Sequence, residues 1–167
     1  MPAHYRTRLA TIDDAQLIAE FQTTTWNEAY AGLVRPDYLA RMTVQTRRDR
    51  WAARLLAGER QIMLTEHDGA VVAVMSFGER SDERPGPRLE LMSIYLSPPA
   101  RGTGLADYLV GLALGDADAV LWVFEANARA IAFYRRHGFV PDGETMFDTD
   151  TGLPEMRMSR ISAAAGR

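Results

Sequence analysis

Two glycine-bearing segments between Glu90 and Val140 constrain this chain more than any other feature. The first is Leu96-Ser-Pro-Pro-Ala-Arg-Gly-Thr-Gly-Leu-Ala106, and the second is Asn127-Ala-Arg-Ala-Ile-Ala-Phe-Tyr-Arg-Arg-His-Gly-Phe139. An apolar, β-rich run precedes each, and a helical pattern coincides with or follows it. Such punctuation calls for strands that hand over to helices through glycine turns.

Bulk properties narrow the choice. The chain has 167 residues, 47% of them hydrophobic, which suits one domain with a real core. A chain of this size buries roughly 70% of its unfolded surface. No Pro/Gly/Ser linker divides the halves, so residues 1–161 read as one domain with a tail at 162–167 that should fray. Cysteine is absent, which excludes disulfides, thiolate metal sites and a cysteine nucleophile. His4, His67 and His137 lack ligand spacing, so no metal site is expected. The net charge of −3 gives no basic footprint for nucleic acid. Arg47, Arg48, Arg50 and Arg54 cluster at helical spacing and read as a solvated face. Neither a signal-peptide pattern nor a membrane-length apolar run occurs. A cytoplasmic protein is the expectation.

Along the chain, residues 5–9 read as a strand, and Thr11-Ile-Asp-Asp opens a helix with apolar positions Leu17, Ile18, Phe21 and Trp26. The pattern breaks between Trp26 and Gly32. Pro36 starts a second helical region that runs through Trp51 to Leu56 and stops at Gly58. Residues 62–65 and 70–77 are β-rich and flank Asp68-Gly69, a strong hairpin signal. Residues 81–87 form a polar loop. Arg88 to Leu96 is apolar on both faces except at Glu90 and Ser93, which marks a central strand. A helix at 105–114, a strand at 119–124 and a helix at 127–137 follow. One or two strands close the chain, the last at 153–161. The order predicts a mixed sheet flanked by helices, α+β with α/β character.

In the first segment, Pro98 and Pro99 stop the strand. Gly102 and Gly104 then let the backbone approach a ligand where a helix starts, so free N–H groups and the positive dipole end make an anion site that Arg101 can reinforce. A plain strand-to-helix turn satisfies the same residues. A P-loop is excluded because Gly104-Leu105-Ala106 stands where Gly-Lys-Ser/Thr is required. The dinucleotide fingerprint of an oxidoreductase fits poorly, with Asp107 at its third small position, although Glu125 imitates its ribose-binding acid. In the second segment, Asn127 is placed to cap a helix and Tyr134 lies two turns on, nearly on the same face. Both are also compatible with a purely structural cap and a packed aromatic.

Taken jointly, the segments resemble the Gcn5-related N-acetyltransferase (GNAT) superfamily. Leu96, Pro98, Arg101, Gly104 and Ala106 match its strand-end and Arg/Gln-x-x-Gly-x-Gly/Ala register. Asn127, Ala130, Phe133, Tyr134, Gly138 and Phe139 match its second hallmark. The stretch Thr25 to Leu33 is similar to a bacterial small-amine branch. Ala106 replaces a glycine, and Gly102-Thr103 replaces a commonly basic pair, which leaves more of the phosphate binding to backbone N–H groups.

The resemblance implies a GNAT fold: a mixed sheet of about seven strands whose central parallel pair, 88–96 and 119–124, splays apart to admit acetyl-CoA. It implies that the backbone of Ile94, Tyr95 and Leu96 pairs with the pantetheine arm. Arg101, Gly102, Thr103, Gly104, Leu105 and Ala106 would hold the pyrophosphate, and Asn127 would contact pantetheine or position Tyr134. Tyr134 would be the general acid, with acetyl passing directly to a small-molecule or peptide amine. A general base matters most for a lysine-like amine, whose deprotonation at pH 7 costs about 4.6 kcal/mol, against about 1 kcal/mol for an α-amine. Glu90 is the first candidate base, with a strand-end carboxylate paired to Arg88 as the alternative, and Glu28 is the second. Trp26 and Tyr30 would line the acceptor pocket or serve as core aromatics. A non-catalytic acyl-CoA-binding domain is the competing reading. The late strands and the 81–87 loop are surfaces on which a homodimer could form.

Overall fold

The computed structural model describes residues 5–162; His4 and the tail beyond Ser162 lie outside the described residues. One seven-stranded sheet runs through them, from β1 (Tyr5–Leu9) to β7 (Pro154–Arg160). The strands between are β2 (Gln61–His67), β3 (Ala70–Glu79), β4 (Leu89–Leu96), β5 (Ala119–Phe124) and β6 (Val140–Phe147). In space they lie β1-β2-β3-β4-β5-β7-β6. Every neighbouring pair is antiparallel except β4 and β5.

The β2–β3 hairpin turns at Asp68 and Gly69, both with positive φ (50° and 79°), as an Asp-Gly turn matched to strand twist requires. The β4–β5 junction controls everything built above it. These strands pair only at Glu90↔Val120 and Leu91↔Leu121. Beyond, toward Leu96 and Phe124, they part. The register between β3 and β4 also slips, from Phe77↔Leu91 to Ser76↔Ser93, which leaves Met92 as an extra residue in β4. A bulge of this kind bends and twists its strand.

The helices are α1 (Ala15–Tyr30), α2 (Pro36–Arg41), α3 (Val44–Ala57), α4 (Leu105–Leu114) and α5 (Ala128–Arg136). Helix α1 continues through the expected break. The hydroxyls of Thr23, Thr24 and Thr25 donate to the carbonyls of Ala19, Glu20 and Phe21, and the chain turns only near Gly32 (φ 81°). Ile18 and Trp26 are buried as expected, but Leu17 faces outward. The single helical region expected after Pro36 is two helices. Met42 leaves the helical conformation, and the Thr43 hydroxyl caps α3 by accepting from the Thr46 amide at 3.1 Å.

Each face of the sheet has its own core. Leu91, Leu121 and Met158 pack with Leu105, Leu109 and Val110 of α4 on one side, joined by Phe139 and Ile131. Ile62, Leu64 and Val74 pack with Ile18 of α1 and Trp51 of α3 on the other. A third cluster, Trp26, Val34, Tyr38 and Met42, roofs the splayed end and touches Tyr95 and Phe124. Among the described residues no helix is long and apolar enough to cross a membrane.

Candidate active site

Where β4 and β5 part, two cavities meet. The larger, about 850 Å³, runs from Leu96, Arg101, Gly102, Gly104 and Ala106 along α5 to Tyr134. The smaller, about 230 Å³, lies toward α1–α3 and the β6–β7 turn. Tyr30, Ile94, Tyr95, Asn127, Ala130 and Tyr134 border both.

The glycine turn at the mouth of the larger cavity presents backbone N–H groups to open space. Gly102 and Gly104 both adopt positive φ (76° and 84°), and Gly104 caps α4 without a side-chain bond. The amides of Gly102, Gly104 and Ala106 donate to nothing in the described protein. The Thr103 hydroxyl turns inward to the Ala100 carbonyl at 2.8 Å, and Leu105 N reaches it only at 3.4 Å. A helix start with unspent N–H groups favours phosphate. Arg101 donates through Nε to the Leu96 carbonyl at 3.2 Å, and its terminal nitrogens make no hydrogen bond to the described protein. Arg129 and Arg136 line the same cavity. Sequence reasoning missed both, although they are two turns apart on one face of α5. Asp107, which also borders this space, is engaged by His137 at 2.8 Å.

Asn127 works with both ends of its side chain. Its Oδ1 accepts from the Ala130 amide at 3.1 Å, capping α5, and its Nδ2 donates to the Tyr30 hydroxyl at 3.2 Å. Tyr30 packs against Trp26 (4.5 Å) and meets Phe124 edge-on (5.3 Å). Burial holds its phenol up to about 12. Tyr134 is braced by Phe133 and Phe139, and its hydroxyl has no hydrogen-bond partner among the described residues. Burial first, and Tyr30 and Tyr95 after it, push its pKa well above the ordinary tyrosine value. The phenol therefore stays protonated throughout the physiological range.

Trp26 and Tyr30 line the smaller cavity, as does the Tyr95 side chain, whose hydroxyl accepts from Gln22 at 3.2 Å. The two acids singled out from the sequence are placed elsewhere. Glu28 is exposed on α1 and borders neither cavity. Glu90 sits at the last paired rows of β4 and β5, before the splay, and also borders neither. It is half-buried, and burial followed by Asp82 raises its pKa. Arg88 bonds Glu79 at 3.2 Å instead of Glu90. Three acids line the smaller cavity: Asp148, Asp150 and Glu155 of β7. Burial, then Asp148 and Glu90, push the Glu155 carboxyl up to about 7. No hydrogen bond or ion pair of the described residues engages it. A lone acid in the last strand gave no sequence signal; only the insertion of β7 beside β5, with Glu155 opposite Phe124, brings it here.

The solvated arginine face is also corrected. Arg47 is 2% exposed and Arg54 half-buried, and both border the smaller cavity with the exposed Arg50, while Arg48 is exposed and borders neither cavity.

Similarities to known proteins agree with this geometry. The acetyltransferase (GNAT) family pattern matches residues 21–139. A probable N-acetyltransferase of Mycobacterium tuberculosis is 25% identical over 150 residues, covering 86% of this chain and 84% of the relative. The fold matches that of PaiA N-acetyltransferase from Thermoplasma acidophilum in complex with coenzyme A, with a TM-score of 0.67 at 17% identity, over 92% of this chain and 97% of the other. It also matches yncA from Salmonella typhimurium with acetyl-CoA, at 0.63 and 24%, over 93% and 92%. The matched segment contains both glycine-bearing motifs and the strands that part between them, and the chain is an acetyltransferase that belongs to the GNAT family.

Proposed function

We propose that this protein transfers acetyl from acetyl-CoA directly to the primary amine of a small molecule or peptide. The observation that carries this reading is the shared border of the two cavities. Tyr134, with an unbonded and protonated hydroxyl, stands where a phosphate-fitted channel meets a separate, more polar pocket. Acetyl-CoA supplies an activated thioester. The amides of Gly102, Gly104 and Ala106, with Arg101 nearby, suit its pyrophosphate; the unpaired edge of β4 from Ile94 to Leu96 suits its pantetheine arm.

Glu155 replaces Glu90 as the general base in this reading. Its carboxyl borders the acceptor pocket and titrates near neutrality, which suits proton transfer at physiological pH. Glu155 takes a proton from the ammonium of the acceptor. The freed amine forms the new C–N bond at the acetyl carbonyl, and Tyr134 gives its proton to the departing thiolate as the C–S bond breaks. The second proton, shed by the nascent amide nitrogen, restores the Tyr134 phenol, and Glu155 releases the first to solvent. With no cysteine in the chain, no thiol nucleophile is available for an acyl-enzyme route.

A free-thiol assay with acetyl-CoA against a broad amine library tests the proposal. Amine-dependent thiol release is expected. Calorimetric acetyl-CoA binding with no release for any amine would favour the non-catalytic binder.

A further inference from the structure

Among the described residues three arginines are buried: Arg47, Arg80 and Arg157. Two have carboxylate partners. Arg80 meets Asp82 at 2.7 Å, and Arg157 meets Asp142 at 2.7 Å. Arg47 has none. Its Nε donates to the Met42 carbonyl at 3.3 Å, its guanidinium lies over the Trp26 ring at 5.2 Å, and its buried Nη2 has no hydrogen-bond partner. Nor does any acceptor engage Nη1. A guanidinium held this way out of water, without a counter-charge, is costly unless an anion joins it.

Its surroundings show where that anion would come from. Arg47, Arg50 and Arg54 succeed one another along α3 and line the smaller cavity. Arg50 is engaged by Asp150 at 2.6 Å. Arg54 stacks on Trp51 at 4.9 Å and has no ion-pair partner among the described residues. Burial also depresses the pKa of both Arg47 and Arg54, the mark of cations without adequate compensation. On the β6–β7 side, Asp148 is occupied by Thr151, which it accepts from twice at 2.7 Å, while Glu155 is unengaged. The pocket is therefore bipolar, with free guanidinium on α3 and a free carboxyl on β7.

We infer that the acceptor carries an oxyanion as well as its amine, in the manner of an amino acid: its carboxylate pairs with Arg47 and Arg54 while its amine faces Glu155 and Tyr134. Bidentate recognition of a carboxylate is what a guanidinium fork does best. A polyamine would set a second cation against the arginines and leave Arg47 unpaired.

This inference rests on the acetyl-transfer reading, so its test has a kinetic and a binding arm. In the kinetic arm, α-amino acids are compared with their amides and with the amines lacking the carboxylate. The acid should have the lowest KM, and Arg47→Gln or Arg54→Gln should collapse that preference about 10- to 100-fold, the loss expected of a charge-assisted hydrogen bond. Arg48→Gln, on the exposed face, should leave it unchanged. Arg54 is only half-buried, so its variant keeps the test alive if Arg47→Gln does not fold. Equal use of acid and amide, or a preference untouched by both substitutions, overturns the inference. If no amine is acetylated, the transfer reading fails by itself. Calorimetry on coenzyme A-loaded protein then decides: an amino acid binding tighter than its amide, and losing that advantage in Arg54→Gln, sustains the anion site, whereas equal binding overturns it.

Discussion

The Asn127 side-chain amide donates to the Tyr30 hydroxyl at 3.2 Å, joining the first residue ahead of α5 to the last residue of α1. The same side chain caps the helix that carries Tyr134. One residue thus fixes both the roof of the acceptor pocket and the proposed acid. Asn127→Ala should cost about 1 kcal/mol through the lost cap. Tyr30→Phe removes only the hydroxyl. If Asn127 acts on the acceptor through Tyr30, the two substitutions will be non-additive in kcat/KM; additive losses in a double-mutant cycle would separate them.

Tyr134→Phe retains the ring packing against Phe133 and Phe139 and removes the proton. Turnover should fall roughly 10²- to 10⁴-fold, with acetyl-CoA affinity by calorimetry unchanged. Wild-type turnover would end the general-acid assignment.

Glu155 makes activity and stability oppose each other. Its folded pKa is raised to about 7 from 4.5, so the ionised form is the one the fold disfavours. The stability it contributes is complete below its unfolded pKa and is lost as pH rises through 7. In the proposed mechanism activity needs the ionised form and should rise over the same interval. Glu155→Gln should therefore melt higher than wild type at pH 8, melt alike near pH 4, and lose the activity step near pH 7. A variant that keeps the step places the base elsewhere.

Gly104 sits at φ 84°, and a Cβ there would enter open space, with no atom of the described residues within 4 Å. Gly104→Val should lower acetyl-CoA affinity, by strain in the left-handed region and by crowding that open space. Gly69, at φ 79° in the β2–β3 turn, is likewise open and provides the control. Gly69→Val should cost stability without loss of affinity. Equal affinity losses in both would mean that strain alone is being measured.

Acid stability should depend on Asp14. It accepts from both terminal nitrogens of Arg8 (2.8 and 2.7 Å) and from the Thr11 amide (2.7 Å). The Arg8 hydrogen bonds lead in holding its pKa down to about 2. A lowered folded pKa gives stability that is present above the unfolded value of 3.8 and lost as pH falls through 2. Urea midpoints from pH 5 to pH 2 should fall more steeply in wild type than in Asp14→Asn.

What the chain disclosed of itself follows a physical division. The positive-φ turn at Gly102 and Gly104, the Asn127 cap and the Asp68-Gly69 turn were legible because each is fixed by local backbone geometry. Glu155 and Arg47 were not. A carboxylate flanked by Pro154 and Met156 looks like an edge residue until β7 is known to lie inside β6. An arginine at helical spacing looks solvated until α2 and the Trp26 cluster cover that face of α3. Glu90 lies outside both cavities, which was not legible for the related reason that a polar residue in a central strand marks the sheet's middle but not which side of the splay it falls on. Position along β4 decided that, and Glu90 lies below the point of parting.

The two-row pairing of β4 with β5 has a mechanical meaning. The sheet is two plates, β1–β4 and β5–β7, hinged along a seam with little of its own hydrogen bonding. A donor seated in the wedge would complete the seam as a temporary strand, and its release would reopen it. Cohesion across the middle of this molecule would thus rise and fall with each catalytic cycle, and the amides from Ile94 to Leu96 are where deuterium exchange should record it.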